Sequence, residues 1–209
     1  MDILNEIKPP LKKYVVLCVD QSCSMGYTVE KGRTIMDCVN EGIREFRDRL
    51  VEMENNMPDT FQKLPMVFPM DGGNVVPGAY AAMMPGDRRA EKGTLVSNAL
   101  RGAAQMIVGR PGVPIIVFVS DGILEPQESE ADLRDTIAKL RFSGVKCLTA
   151  GFHTDGRETS LECLLDNFTG RRMITWTDST SYRTRFDEIY RQILAYDESD
   201  MTVVNSQFI

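Results

Sequence analysis

The run VVLCVDQSCSM, residues 15–25, passes from apolar side chains into one carboxylate and two hydroxyls at alternate positions, Asp20, Ser22 and Ser24. A second apolar run, VPIIVFVSDG, ends in Asp121, and Thr94 stands behind Gly93 at the start of another periodic stretch. Short polar groups in such places serve three ends. They close a turn or cap a helix; a serine beside a base acts as a nucleophile; or several oxygens surround a hard cation. Taken together, Asp20, Ser22, Ser24, Thr94 and Asp121 are an all-oxygen set with two carboxylates and no nitrogen or sulfur donor. Mg2+ suits such a set, because it binds few carboxylates and keeps several waters, with Mn2+ and Ca2+ as substitutes of similar ligand preference.

Those residues converge only if the elements carrying them converge. Tyr14 to Val19 reads as a buried strand, without polar interruption. Ile35, Met36, Val39, Ile43, Phe46, Leu50 and Met53 fall at spacings of three and four and predict one amphipathic helix. The Pro- and Gly-broken stretch 58–89 predicts two short strands near a sheet edge, Met66–Phe68 and Val75–Tyr80, turning at Asp71-Gly72-Gly73. A second helix carries Leu95, Ala99, Ala103, Met106 and Ile107 on one side. Then come the strand ending at Asp121, a helix stopped by Gly144, and the strand VKCLTAGF. A short helix (SLECLLDNFTG), a strand (RMITW) and a final helix with Phe186, Ile189, Tyr190 and Ile193 complete the pattern.

Apolar strands alternating with amphipathic helices imply a three-layer, doubly wound α/β fold. Its central sheet is mostly parallel, with helices on both faces and right-handed crossovers. Ligands of such folds bind beyond the carboxyl ends of the strands. If the first strand and the one ending at Asp121 are both central and parallel, Asp20 and Asp121 emerge at one edge. The expected organisation is an N-terminal arm over 1–13, the domain over 14–196 and an aperiodic tail over 197–209, apolar enough in TVVNSQFI to dock on a neighbour.

Asp-x-Ser-x-Ser after the first strand, Gly-Thr before the middle helix and Ser-Asp-Gly after the next buried strand resemble the metal-ion-dependent adhesion site (MIDAS) of von Willebrand factor A domains. The resemblance runs from about Tyr14 to Leu194. It implies that Ser22 and Ser24 ligate the metal directly, Thr94 directly or through water, and that Asp20 and Asp121 hold coordinated waters. One position is then left for an Asp or Glu of a partner protein. Cys23 departs from the pattern, because family members usually have Gly between the two serines. By size and motif the chain resembles stand-alone bacterial members of the family, including those of tellurium-resistance operons. These are thought to work in assemblies with kinases, phosphatases or ATPases.

Bulk properties narrow the field. With 43% apolar and 26% charged residues the 209-residue chain has the composition of a globular domain. A net charge of −6 disfavours nucleic acid and acidic membranes as partners. No apolar run is long enough to span a bilayer, and the first residues lack the order of a signal peptide, so the expected location is the cytoplasm. Five scattered cysteines without a C-x-x-C pair, and His153 as the one histidine, supply no zinc set.

The leading expectation is a protein-binding module, not an enzyme. An Mg2+-dependent hydrolase or phosphotransferase is the alternative. The sequence holds no G-x-S-x-G, no phosphate-binding Gly-rich Lys-Ser/Thr loop and no Asp-x-Asp at the first strand end to support it. The third reading is a scaffold subunit whose metal is purely structural, with Met83 and Met84 in its contact surface.

Overall fold

In chain order the elements are β1 (Lys13–Val19), a 3-10 turn (Cys23–Gly26), β2 (Thr28–Glu30), β3 (Arg33–Thr34) and α1 (Ile35–Asn56). Then follow β4 (Phe61–Lys63), β5 (Val67–Pro69), β6 (Val75–Pro77), α2 (Val96–Gln105) and β7 (Pro111–Ser120). α3 (Glu130–Phe142), β8 (Lys146–Gly151), α4 (Ser179–Ala195) and β9 (Thr202–Val203) complete the order. The structure is a computed structural model that describes residues 11–30, 32–63, 67–69, 75–77, 95–124, 126–151 and 179–208. The expected helix at 160–170 and strand at 172–176, residues 1–10 of the expected arm, Met83, Met84 and Cys163 lie outside the described residues.

The central sheet runs β6-β5-β1-β7-β8, with β4 pairing the first half of β1 on the side that β5 also uses. β1, β5, β7 and β8 are parallel, and β6 is antiparallel to β5. β1 and β7 are continuous apolar runs because both of their faces are covered. Val15, Leu17 and Val19, with Val113, Ile115, Val117 and Val119, pack under α1 and α4. Tyr14, Val16 and Cys18, with Ile116 and Phe118, pack under α2 and α3. Residue parity therefore assigns each strand side chain to a layer. The fold is the mostly parallel, helix-covered α/β sheet that the alternation implies.

The helices follow from local chemistry. α1 opens with a capping box: Asp37 N donates to Thr34 Oγ1 at 3.1 Å, and Thr34 N donates to Asp37 Oδ2 at 2.8 Å. Its expected stripe from Ile35 to Met53 is buried throughout. Phe46 meets Phe186 of α4 with ring centroids 5.4 Å apart. α2 is shorter than its apolar period suggests, ending at Gln105, and it buries Val96 and Leu100 beside Ala99 and Ala103. α3 stops where Gly144 takes φ 77°. There Gly144 N donates to Arg141 O and Val145 N to Leu140 O, each at 3.0 Å, a Schellman end.

Several pieces went unread in the sequence: β2, β3, β4 and β9 are two or three residues long and carry polar or mixed side chains. β5 and β6 pair Val67 with Pro77 and Pro69 with Val75, so their prolines sit at strand ends, and the 70–74 connection lies outside the described residues. Residues after α4 pack on their own domain. β9 pairs with Pro111 and Gly112 of β7, Gly109 N donates to Val204 O at 2.9 Å, and Val204 is buried. Lys13, buried at the start of β1, donates Nζ to Ile193 O at 2.9 Å and Leu194 O at 2.8 Å, closing the carboxyl end of α4.

Gly112 sits where β7 passes close to β1. A Cβ there would lie 2.5 Å from Lys12 O and 2.6 Å from Tyr14 Cε2. Gly112→Ala is expected to cost about 1–3 kcal/mol through overpacking, or a melting point lower by about 2–4 °C per kcal/mol. An unchanged thermal melt would show that the strands separate without penalty.

Candidate functional site

β1 and β7 pair in register through Val19 and Val119, and Asp20 N donates to Val119 O at 2.8 Å. Residues 20 and 120 therefore lie side by side, and both continue the even-numbered face. Ser120, fully buried, uses that placement: its Oγ donates to Asp20 Oδ2 at 2.7 Å. The other carboxylate oxygen, Oδ1, accepts from Ser22 N at 2.8 Å. Asp20, only 1% exposed, is thus held by its own loop and by the neighbouring strand. A carboxylate fixed by two donors suits an outer role, accepting from coordinated waters, better than direct ligation.

From Asp20 the chain enters the 3-10 turn, with Met25 N donating to Ser22 O at 3.1 Å and Tyr27 N to Ser24 O at 2.9 Å. This folding brings the two hydroxyls together. Ser22 Oγ and Ser24 Oγ lie 3.0 Å apart. Adjacent oxygens around an octahedral Mg2+ with ligands at about 2.0–2.1 Å are themselves about 3.0 Å apart. Ser22 is 2% exposed and Ser24 is half-buried, so the pair opens toward solvent from a dry base. Cys23 begins the 3-10 turn, a right-handed conformation open to any L residue, and its side chain is exposed. A side chain is therefore accommodated where the family usually has Gly.

The second loop is built by β7. Gly122 takes φ 78° and turns the chain away from the sheet. Gly122 N donates to Ser120 Oγ at 3.0 Å, and Ile123 N donates to Asp121 Oδ1 at 3.0 Å. Asp121 is 3% exposed. Two buried carboxylates at the ends of adjacent strands concentrate negative potential at one edge, which a dication relieves.

Of the five expected positions, Asp20, Ser22, Ser24 and Asp121 stand at the carboxyl edges of β1 and β7. Thr94 and His153 lie outside the described residues. Among the described residues no three His, Cys, Asp or Glu side chains cluster as a metal set, so a cation here depends on the serine hydroxyls. Those oxygens fit a hard dication. The nearby thiol of Cys18 offers no competing soft ligand, since burial, then the charge of Asp20, push its pKa well above the ordinary value. Ser22 Oγ faces another hydroxyl, which is no general base.

Two contributors escaped the sequence reading. Ser120 was visible only as part of Ser-Asp-Gly, and its link to Asp20 spans 100 positions, so strand register alone reveals it. Glu128 lies in a polar loop with no motif around it, yet its carboxylate accepts from the first N–H groups of α2.

No protein-family model and no curated protein matches this sequence. Solved structures are similar in fold. The pilus adhesin SpaC from Lactobacillus rhamnosus GG is 15% identical with a TM-score of 0.65 over 88% of this chain and 31% of its own. Proximal thread matrix protein 1 from the mussel byssus, in a form with zinc occupied MIDAS motif, is 14% identical with a TM-score of 0.61 over 92% and 47%. An aerotolerance-related membrane protein from Bacteroides fragilis, with multiple mutations to serines, is 15% identical with a TM-score of 0.59 over 88% and 99%. The chain thus spans about a third of the pilus adhesin and about half of the thread protein. At such identities the likeness shows the fold alone, a mostly parallel α/β sheet covered by helices.

Ser120→Ala removes the donor to Asp20 Oδ2 and the acceptor of Gly122 N in one step. The expected cost is about 1–3 kcal/mol of stability, read by thermal melting. An unchanged melt would show that these two bonds add nothing to the stability of the strand ends.

Proposed function

We propose that this chain is a metal-dependent protein-interaction module that captures an Asp or Glu of a partner at a MIDAS-type Mg2+ centre. The observation that carries the reading is the Ser22–Ser24 oxygen pair, 3.0 Å apart, in the loop that follows buried Asp20 at the end of β1, the strand paired with the one that ends before buried Asp121. Ser22 and Ser24 would ligate the cation, with Thr94 joining them directly or through a water. Asp20 and Asp121 would accept hydrogen bonds from its waters. When bound, the cation supplies a directional electrostatic anchor for a carboxylate. The chain's own part is to hold the hydroxyls in place, exclude water from the base of the loop and leave the outer side open, where Ser24 is half-buried and Cys23 exposed. The thread protein's zinc-occupied MIDAS motif and the adhesin's name support a binding role on this fold.

Mn2+ or Ca2+ would substitute at some cost in affinity, because Ca2+ is larger and takes more ligands. A cytoplasmic setting, within an assembly of kinase, phosphatase or ATPase components like that of the tellurium-resistance proteins, is part of the proposal. Among the described residues no helix is long and apolar enough to cross a membrane.

The test combines stability with capture. Mg2+ at a hundredfold its Kd stabilises a one-site protein by about 2.7 kcal/mol, so the melting point of the wild type should rise with Mg2+ and fall back with EDTA. Ser22→Ala should fold and show neither response. Partner capture from native lysate should need Mg2+ and be lost in Ser22→Ala. Capture that is equal in Mg2+ and EDTA would sink the mechanism, and a melting response without any change in capture would assign the metal a structural role.

A further inference from the structure

Helix α2 starts without a cap of its own. Its N-cap residue is Leu95, which has no side-chain acceptor, while the first N–H groups of any helix lack intrahelical partners. The acceptor comes from 32 residues away. Val96 N donates to Glu128 Oε2 at 2.5 Å, and Ser97 N donates to Glu128 Oε1 at 3.3 Å. A carboxylate at the positive end of the helix is favoured by charge as well as by hydrogen bonding.

Where Glu128 sits gives this bond its consequence. It belongs to the loop that leaves β7 at Asp121 and enters α3 behind Ser129, whose Oγ accepts from Asp132 N at 3.3 Å. The near end of that loop is pinned at Ser120 and Asp121 by Gly122 N and Ile123 N. The far end is pinned by Glu128 to the first turn of α2, two residues after Thr94 in the chain. One side chain thus links the Asp121 loop to the place where the chain enters α2.

We propose that Glu128 is a positioning residue of the metal centre. It sets the distance between the Asp121 loop and the entry to α2, through backbone N–H groups and without contact to the cation. The inference rests on the proposed Mg2+ centre and adds a residue that the MIDAS pattern does not contain. Lys139 and Asp135 supply the control, since they form an exposed i,i+4 ion pair within α3 at 2.8 Å, with no part in the α2 entry.

The experiment is calorimetric titration of MgCl2 into the EDTA-stripped and dialysed full chain. Glu128→Ala is expected to weaken the affinity about tenfold or more, the range for outer residues that orient metal ligands. Glu128→Gln keeps a carbonyl acceptor but loses the charge, so a loss of about threefold is expected. Asp135→Asn should stay within about twofold of wild type, since it leaves the α2 entry intact. In the cation-free protein, hydrogen exchange at Val96 and Ser97 should speed up in Glu128→Ala alone. The inference is overturned if both Glu128 variants bind like wild type, or if Asp135→Asn weakens binding as much as they do. Should Glu128→Ala fail to fold, Glu128→Gln decides alone, and wild-type affinity in that variant refutes the role. A wild type that takes up no cation would bring down the Mg2+ centre as well; a wild type that binds beside unaffected Glu128 variants would bring down only this inference.

Discussion

The in-register parallel pairing of β1 with β7 is the constraint on which the rest depends. Because Val19 faces Val119, both strands leave the core at the same depth, and the first polar residue of each stands beside the other. A slip of one residue would carry every side chain to the opposite face. Val15, Leu17 and Val19 would then leave α1 and α4, and Asp20 would part from Ser120. The apolar core and the polar edge are thus two results of one register. Burial of a large aliphatic side chain is worth about 1.5–3 kcal/mol, so the core holds this alignment far more strongly than the few polar bonds at the edge.

Both ends of the strand pair reinforce it. At the amino end Gly112 lets β7 approach Lys12 and Tyr14 closely, Val113 N donates to Lys12 O at 2.7 Å, and Lys13 N donates to Thr60 O at 2.8 Å. Lys13 also closes α4, and β9 adds its pairing to Pro111 and Gly112. At the carboxyl end the chain leaves regular structure, and side chains take over the backbone's hydrogen bonding. Asp20, Asp121 and Ser120 each accept a backbone N–H from two residues further on. These turns are closed by their own side chains, without a neighbouring strand.

The architecture was legible because its main signals are periodic. The α1 stripe from Ile35 to Met53 and the uninterrupted runs of β1 and β7 carry the same information in sequence as in space. The short strands were not, since two or three residues such as Phe61–Lys63 hold no period and are strands only by virtue of the neighbour they pair with. The α2 boundary was misjudged at its carboxyl end for a related reason. Met106 and Ile107 continue the apolar spacing, but they lie in the turn after the helix, where Ile107 is still buried.

For the candidate site, the sequence by itself determined the donor chemistry. Asp20, Ser22, Ser24 and Asp121 carry oxygen donors wherever they fold, and their places after apolar runs put them at strand ends. Only the tertiary structure decided how those oxygens are held. The Ser120–Asp20 bond and the Glu128 cap on α2 join residues 100 and about 30 positions apart, and no local pattern encodes them. The physical reason is that residue type sets what a side chain can bind, whereas strand register and loop closure set which side chains meet.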